Sequence, residues 1–124
     1  MKKSIHSNLA PSAIGPYSQG VKAGRFLFLS GQLPIDPGTC LLKEGIVSQT
    51  KQVLNNVTAI LASENLNLTN VVKTTVFLKN LSDFSAMNEV YASFFCEPYP
   101  ARSTIEVAAL PKDALVEIEC IAIN

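Results

Sequence analysis

Hydrophobic and polar positions alternate with a period of two near the end of the chain, on both sides of a short connection. The first alternating segment covers residues 99–107 and the second covers residues 114–119. A period of two is typical of strands that bury one face, so the pattern predicts two strands. The connection, residues 108–113, indicates that they pair, although a loop of this length leaves their register open.

The same alternation groups charged side chains on the faces of these strands. Arg102, Thr104 and Glu106 fall on one face of the first strand, and Glu117 and Glu119 fall on one face of the second. If the strands pair, an arginine and a carboxylate share one wall of a pocket. We therefore interpret this stretch as the chemical centre of the chain.

Two shorter apolar segments, residues 18–23 and 26–30, predict a hairpin around a Gly-Arg turn. Before them, prolines and glycines make residues 8–16 a loop with few accessible states, which holds Tyr17 in one place. Tyr17 is either a half-buried aromatic residue with its hydroxyl in water or part of a binding site.

Gly31 directly follows the second of these segments and allows two interpretations. A glycine there lets bare backbone approach a ligand closely. Alternatively, the strand ends at a residue that needs a positive φ, which glycine adopts without steric cost.

Apolar positions at spacings of three and four predict two amphipathic helices. The first covers residues 46–63, with Asn56 among its polar residues, which lie mostly on the other side. The second runs from residue 83 to about residue 96, and Asn80 and Ser82 before it supply turn and N-cap chemistry. The apolar stripes are Ile46, Thr50, Val53, Val57, Ile60 and Leu61 in the first helix, and Phe84, Met87, Tyr91, Phe94 and Phe95 in the second.

Between the helices, the β-branched residues 71–78 predict a further strand, with Val72, Thr74, Val76 and Leu78 on one face. The resulting order of elements predicts a mixed sheet packed on two helices, which is a two-layer α+β domain. Because the helices cover one face of the sheet, its other face is open in a monomer.

Composition adds a reason to expect an oligomer. The 124 residues are long enough for one domain, residues 1–124, with a core of its own. Charged residues make up 16% of them, against roughly 25% in a typical soluble domain. We therefore expect other copies of the chain to cover the open sheet face.

Charge and cysteine usage exclude several classes of protein. Ten basic and ten acidic residues give a net charge of zero, so no overall field attracts nucleic acid or an anionic membrane. We find no secretory signal and no apolar run near the ~20 residues of a spanning helix. Cys40, Cys96 and Cys120 are widely spaced, which disfavours a disulfide framework or zinc site and favours the reducing cytoplasm.

The residues available for catalysis are few. There is no glycine-rich phosphate loop, and His6 alone builds neither a catalytic triad nor a His-rich metal site. Arg102 either binds a substrate carboxylate through its guanidinium fork or forms an ion pair with Glu117 or Glu119 that closes the sheet or a subunit interface, and the spacing does not decide between these roles. One of these glutamates, ionised beside Arg102, is suited to polarise a water molecule.

Five blocks of the chain, in order and with compatible spacing, resemble the reactive intermediate deaminase family, which is called RidA or YjgF. The resemblance covers nearly the whole chain. The blocks are residues 13–20, residues 30–34, Asn88, residues 100–103, and residues 110–113 followed by 117–119.

The resemblance implies a chorismate-mutase-like fold and a homotrimer, with the sheets lining a central barrel and the sites lying between subunits. It also implies a hydrolase acting on C=N bonds in metabolite damage repair. The expected substrates are 2-imino acids and their enamines, such as 2-iminobutanoate and 2-iminopropanoate, which become 2-oxo acids and ammonia without a cofactor. Two alternatives stay open: an endoribonuclease acting on RNA, and a non-enzymatic trimer that binds small ligands or acts as a chaperone.

By the same resemblance, Arg102 binds the substrate carboxylate and Glu117 orients or activates water. Backbone at Gly31 and the Thr104 region hydrogen-bonds the substrate. Thr104 stands where many members carry cysteine, which favours water as the nucleophile, and the connection between Cys96 and residue 100 is shorter than in some members. The pocket is shaped by Tyr17, from a neighbouring chain, and by Asn88.

Overall fold

The computed structural model describes residues 1–124 as a six-stranded sheet with two helices on one face. The helices are α1 (Ile46–Ala62) and α2 (Phe84–Phe94). Short 3₁₀ turns cover Leu68–Asn70, Leu81–Asp83 and Pro111–Asp113. The strands are β1 (Lys2–Ile5), β2 (Gly20–Ala23), β3 (Phe26–Gln32), β4 (Ile35–Asp36), β5 (Leu41–Leu42), β6 (Val71–Leu78), β7 (Ala101–Glu106) and β8 (Val116–Ile123).

The strands of the main sheet follow the order β1-β2-β3-β8-β6-β7, while β4 and β5 form a separate hairpin. Neighbours are antiparallel except β6 and β7, which are parallel because α2 connects them as a crossover. This mixed sheet with two packed helices confirms the predicted α+β architecture. The sequence patterns did not predict β1 or the β4–β5 hairpin.

The predicted pairing of the last two strands is wrong, because β6 lies between β7 and β8. Thr74 of β6 stands opposite Arg102 of β7 on one side and Cys120 of β8 on the other. Paired residues share a face, and successive residues alternate between faces. Arg102 therefore projects from the helix-covered face, whereas Glu117 projects from the open face.

Asn56 lies on the buried side of α1, which corrects its predicted place on the polar side. Its side-chain amide donates to the backbone carbonyl oxygens of Leu33 at 3.0 Å and Ile35 at 2.9 Å. These bonds satisfy a buried polar group. They also hold the segment after β3 against the helix.

The 3₁₀ turn that leads into α2 is capped by a side chain from β7. Neither Asn80 nor Ser82 caps it with a side chain, contrary to the prediction. Instead, the backbone amide of Leu81 donates to Oε1 of Glu106 at 2.8 Å. The helix ends at Phe94, slightly before the predicted residue 96.

The first residues of β6 also depart from the predicted alternation. The register with β8 shifts between Val71 and Lys73, so Val71 is buried and Val72 is 42% exposed. Thr74, Val76 and Leu78, the other residues predicted to share a face with Val72, are buried.

The face of the sheet away from the helices carries apolar side chains. Phe26 and Phe28 are each 45% exposed, and Ile105 is exposed to a similar degree. Apolar residues grouped on one surface are typical of a contact with another molecule. Neither α1 nor α2 is long and apolar enough to cross a membrane.

Candidate functional site

A cleft of about 660 Å³, here called the Glu117 cleft, lies beside β3 and β8. Three segments meet there: the loop before β2, the end of β3 with the residues after it, and the turn before β8. Its lining residues are Pro11, Ser12, Ala13, Ile14, Tyr17, Gln19, Ser30, Gly31, Gln32, Leu33, Ile35, Pro111, Lys112 and Glu117.

Gln19 fixes the first wall of the Glu117 cleft. Its buried side chain accepts a hydrogen bond from the backbone amide of Ser7 at 2.7 Å and donates to the carbonyl oxygens of Ser7 and Pro11, at 3.1 and 2.7 Å. The side chain of Gln19 therefore holds the loop before β2 in place through hydrogen bonds to its backbone. Beyond it, Tyr17 stands 54% exposed at the rim, and its hydroxyl accepts a hydrogen bond from the amide of Ile14 at 3.4 Å.

Gly31 lies inside β3 with a φ outside the left-handed region, so the interpretation of a strand end that needs a positive φ is wrong. The register between β3 and β8 shifts between Leu29 and Gln32. As a result, Ser30 and Gly31 together face the single residue Glu119, which is the geometry of a β-bulge. The bulge turns bare backbone towards the cleft, next to the carboxylate of Glu117.

Burial raises the pKa of Glu117 above its ordinary value, and the negative charge of Glu119 raises it further. Lys112 also lines the cleft, and its φ of 57° is left-handed, like the φ of 58° at the next residue, Asp113. Such backbone is strained for non-glycine residues. An ion pair at 2.6 Å between Lys79 and Asp113 braces this turn.

A second concavity of about 370 Å³, here called the Arg102 pocket, lies between α2 and β7. The guanidinium carbon of Arg102 is 4.7 Å from the ring centroid of Tyr91 and 5.5 Å from that of Phe84. These distances are typical of cation–π contacts, which orient the guanidinium without occupying its N–H groups. The pocket is lined by Asn88, Tyr91, Ala92, Tyr99, Pro100 and Arg102.

Arg102 forms no ion pair within the chain, since the three salt bridges involve only lysines. The interpretation of Arg102 as an intrachain partner of Glu117 or Glu119 is therefore wrong. Its hydrogen-bonding fork is available to an external anion.

Contacts with Thr74 and Phe95 hold Tyr91 in place. Its hydroxyl and the Oγ1 of Thr74 form a buried hydrogen bond of 2.7 Å, and its ring stacks on Phe95 at 4.4 Å. Burial raises the pKa of Tyr91, while its bond to Thr74 and the charge of Arg102 oppose this change. The platform under the guanidinium is thus rigid and neutral.

Thr104 lies two residues beyond Arg102 on the same face of β7. Its Oγ1 is buried and has no hydrogen-bonding partner. Most buried hydroxyls in proteins are paired, so an unpaired one indicates a partner from outside the chain.

The six predicted site residues fall into two groups. Tyr17, Gly31 and Glu117 line the Glu117 cleft, whereas Asn88 and Arg102 line the Arg102 pocket. Thr104 belongs with the second group because it lies on β7, on the same face as Arg102. One chain therefore does not bring the predicted arginine and carboxylate together.

Other predicted chemistry is peripheral. His6 is exposed and contacts Asn8 at 2.8 Å. The three cysteines are free, and burial with the charge of Glu119 raises the pKa of Cys120 to about 12. No group of three or more His, Cys, Asp or Glu side chains is arranged to hold a metal ion.

Sequence patterns missed Gln19, Tyr91 and Lys112 as parts of these sites. Tyr91 fitted an apolar helix stripe, which identifies core residues but not what their outer edges contact. Gln19 and Lys112 depend on contacts or on a backbone conformation that no local pattern shows. The only signal for Gln19 and Lys112 was their position within residues 13–20 and 110–113, two of the blocks that carry the family resemblance.

Comparisons with known proteins give a consistent family. Residues 7–124 match the model described as Endoribonuclease L-PSP. The RutC family protein PH0854 of Pyrococcus horikoshii is 54% identical over 98% of each chain, and the 2-iminobutanoate/2-iminopropanoate deaminase of Salmonella typhimurium is 48% identical over 100% of this chain and 99% of that protein. RidA from an Antarctic Psychrobacter species superposes with a TM-score of 0.96 at 47% identity, covering 98% of this chain and 99% of that one. The chain therefore belongs to the YjgF/RidA family.

Proposed function

We propose that this protein is a deaminase that hydrolyses 2-imino acids and their enamine tautomers, such as 2-iminobutanoate and 2-iminopropanoate, to 2-oxo acids and ammonia. The observation that carries the proposal is the guanidinium of Arg102, which lies on an aromatic platform beside an open pocket without an anionic partner. The deaminase name of a relative that is 48% identical along the whole chain supports the same activity.

The working site is formed between copies of a homotrimer with the chorismate-mutase-like arrangement. Arg102 and Glu117 project from opposite faces of one sheet, so they meet only if the Arg102 pocket of one chain faces the Glu117 cleft of another. Tyr17, at the rim of that cleft, then reaches the substrate from the neighbouring chain. The exposed Phe26 and Phe28 supply apolar surface for such an assembly.

Substrate is bound through its carboxylate. Arg102 presents two parallel N–H donors to the two carboxylate oxygens, and the unpaired hydroxyl of Thr104 and backbone at Gly31 add hydrogen bonds. Asn88 shapes the side of the pocket next to Arg102. This contact holds the imine carbon at a fixed distance from the opposite wall, where Glu117 stands.

Glu117 receives a proton from the attacking water. As the C–O bond forms at C2 of the iminium, the C=N π electrons move to nitrogen and the carboxylate takes the water proton. The resulting carbinolamine is protonated on nitrogen, the C–N bond breaks, and loss of the hydroxyl proton gives the 2-oxo acid and ammonia. An enamine substrate is first protonated at its terminal carbon to give the same iminium. The raised pKa of Glu117 suits a group that both takes and returns a proton.

A coupled assay tests this activity. An amino-acid dehydratase or oxidase generates the imine in solution, and the release of ammonia and 2-oxo acid is followed with and without this protein. We expect release to be faster than spontaneous hydrolysis. Identical progress curves with and without the protein would contradict the proposal.

The three free cysteines fit the reducing cytoplasm, where we place the reaction.

An RNA-directed activity is the second candidate, because the matching family model is described as an endoribonuclease. A net charge of zero gives little attraction to phosphate backbones. Incubation with a labelled messenger RNA at low and high salt distinguishes the two. Cleavage by purified protein that fails to accelerate imine hydrolysis would favour the ribonuclease, and ligand binding with neither activity would favour a non-enzymatic trimer.

A further inference from the structure

Gly31 and the side chain of Glu117 occupy adjoining space in the Glu117 cleft. A Cβ atom built on Gly31 would lie 2.1 Å from Oε2 of Glu117 and 2.8 Å from its carboxyl carbon. Both distances are far below van der Waals contact. No other glycine of the chain would place a Cβ closer than 3.2 Å to a neighbouring atom. The position of the carboxylate therefore requires the absence of a side chain at residue 31.

The backbone on the N-terminal side of Gly31 is anchored and has little freedom to move. The amide of Ser30 donates to the carbonyl oxygen of Gln19 at 2.9 Å, and its hydroxyl donates to that of Ser18 at 2.6 Å. The carbonyl oxygen of Ser30 accepts from the side chain of Gln32 at 3.2 Å. A methyl group added at Gly31 would consequently displace the flexible end of Glu117 and leave the strand in place.

We infer that Gly31 is a positioning residue, whose missing side chain holds open the space in which the carboxylate of Glu117 lies. The catalytic consequence rests on the proposed function, whereas the steric relationship does not. This role differs from a backbone contact with substrate, because it acts entirely through Glu117.

Few other charges bear on the carboxylate. Glu119 lies on the same strand, Lys112 and Tyr17 also line the cleft, and β3 carries no titratable side chain. From β6, Lys73 lies on the same face of the sheet and directs its ammonium group to Ser103 at 3.4 Å. Displacing the carboxylate into solvent therefore mainly restores its hydration, which lowers its pKa towards the ordinary value.

The variant Gly31→Ala tests the inference in the full-length protein. Titration of the Glu117 carboxyl group by ¹³C NMR should show a lower pKa than in the wild-type protein. In the imine assay, kcat should fall by about 10²-fold, the loss typical of a misplacement of about 1 Å. KM should change little because Arg102 is untouched and the anchored backbone at residue 31 stays in place, and the acidic side of the kcat/KM profile should move to lower pH. Gly38→Ala is the matched control, since its Cβ meets a carboxylate oxygen of Asp36 only at 3.2 Å.

Stability separates this inference from the proposed function. Gly31→Ala should destabilise the wild-type protein but leave the melting temperature of Glu117→Ala unchanged, because that background lacks the obstructing atoms. If Gly31→Ala does not fold, the double variant should fold. An unchanged Glu117 titration, or equal destabilisation in both backgrounds, would overturn the inference whether or not the protein deaminates imines. If no deaminase activity is found, a shifted titration would still support the steric role.

Discussion

The guanidinium carbon of Arg102 lies 4.7 Å from the ring centroid of Tyr91, and this contact joins the arginine to the hydrophobic core. Tyr91 is buried and bonded to Thr74 beneath it. The arginine is thereby oriented by side chains that neither neutralise its charge nor use its donors. An arginine oriented in this way is better suited to bind a carboxylate ligand than to form a structural ion pair.

Arg102→Ala should remove deaminase activity while the protein stays folded. Loss of a desolvated charge contact typically costs about 2–5 kcal/mol, or about 30-fold to several thousand-fold in kcat/KM. Ammonia release from freshly generated 2-iminobutanoate measures it. Arg25→Ala is the matched control, because Arg25 is the other arginine, lies in the turn between β2 and β3, and donates a hydrogen bond to the backbone carbonyl oxygen of Asn124. Wild-type rates in Arg102→Ala would exclude the proposed carboxylate contact.

Tyr91→Phe should reduce stability more than activity. The ring beneath Arg102 remains, but the buried hydroxyl of Thr74 loses its partner, which typically costs about 1–3 kcal/mol. Urea denaturation measures the loss. Adding Thr74→Val to Tyr91→Phe should recover part of it, since no unpaired group then remains. Strictly additive losses in the double variant would show that the two hydroxyls do not interact.

Glu117→Gln should change how stability depends on pH. Because the pKa of Glu117 is raised above 4.5 in the folded chain, the folded state binds its proton more tightly than the unfolded state. This contribution is fully present below pH 4.5 and is lost as the pH rises through the raised pKa. The variant should therefore gain stability relative to wild type as the pH increases through this range.

Thermal unfolding measured at several pH values checks this difference. Glu119→Gln is the informative companion, because it removes the charge that adds to the raised pKa and should produce a smaller change of the same sign. A constant stability difference between Glu117→Gln and wild type across the range would show that the carboxyl pKa is not raised.

Phe28→Asp should break the proposed trimer. Phe28 is apolar and exposed on the open sheet face, and burying a carboxylate there against another subunit is costly. Light scattering should give three times the chain mass for wild type and one for the variant, with activity lost although both halves of the site are intact. Val47→Asp, an exposed position on α1, should remain trimeric and active. A monomeric, active wild-type protein would contradict the shared site.

Local periodicity was sufficient to identify the long elements. The predicted bounds of β6 agree with the structure, and those of α1 differ by one residue. Periods of two and 3.6 residues can be recognised from residues that are close in sequence. The short β1 and the two-residue strands β4 and β5 contain too few positions to show a repeat. The resemblance to the family, based on five blocks, was confirmed by the match over residues 7–124.

Strand order was decided by tertiary structure alone. The crossover through α2 brings β7 to the far side of β6, and no local pattern records which strands become neighbours. That placement separates Arg102 from Glu117, although both lie in alternating segments on either side of one short connection. Residue types and their spacing thus identified the available chemistry. Strand pairing and helix packing determined that these residues form two half-sites. The reason is that the face on which a side chain lies depends on how its strand pairs with the neighbouring strands.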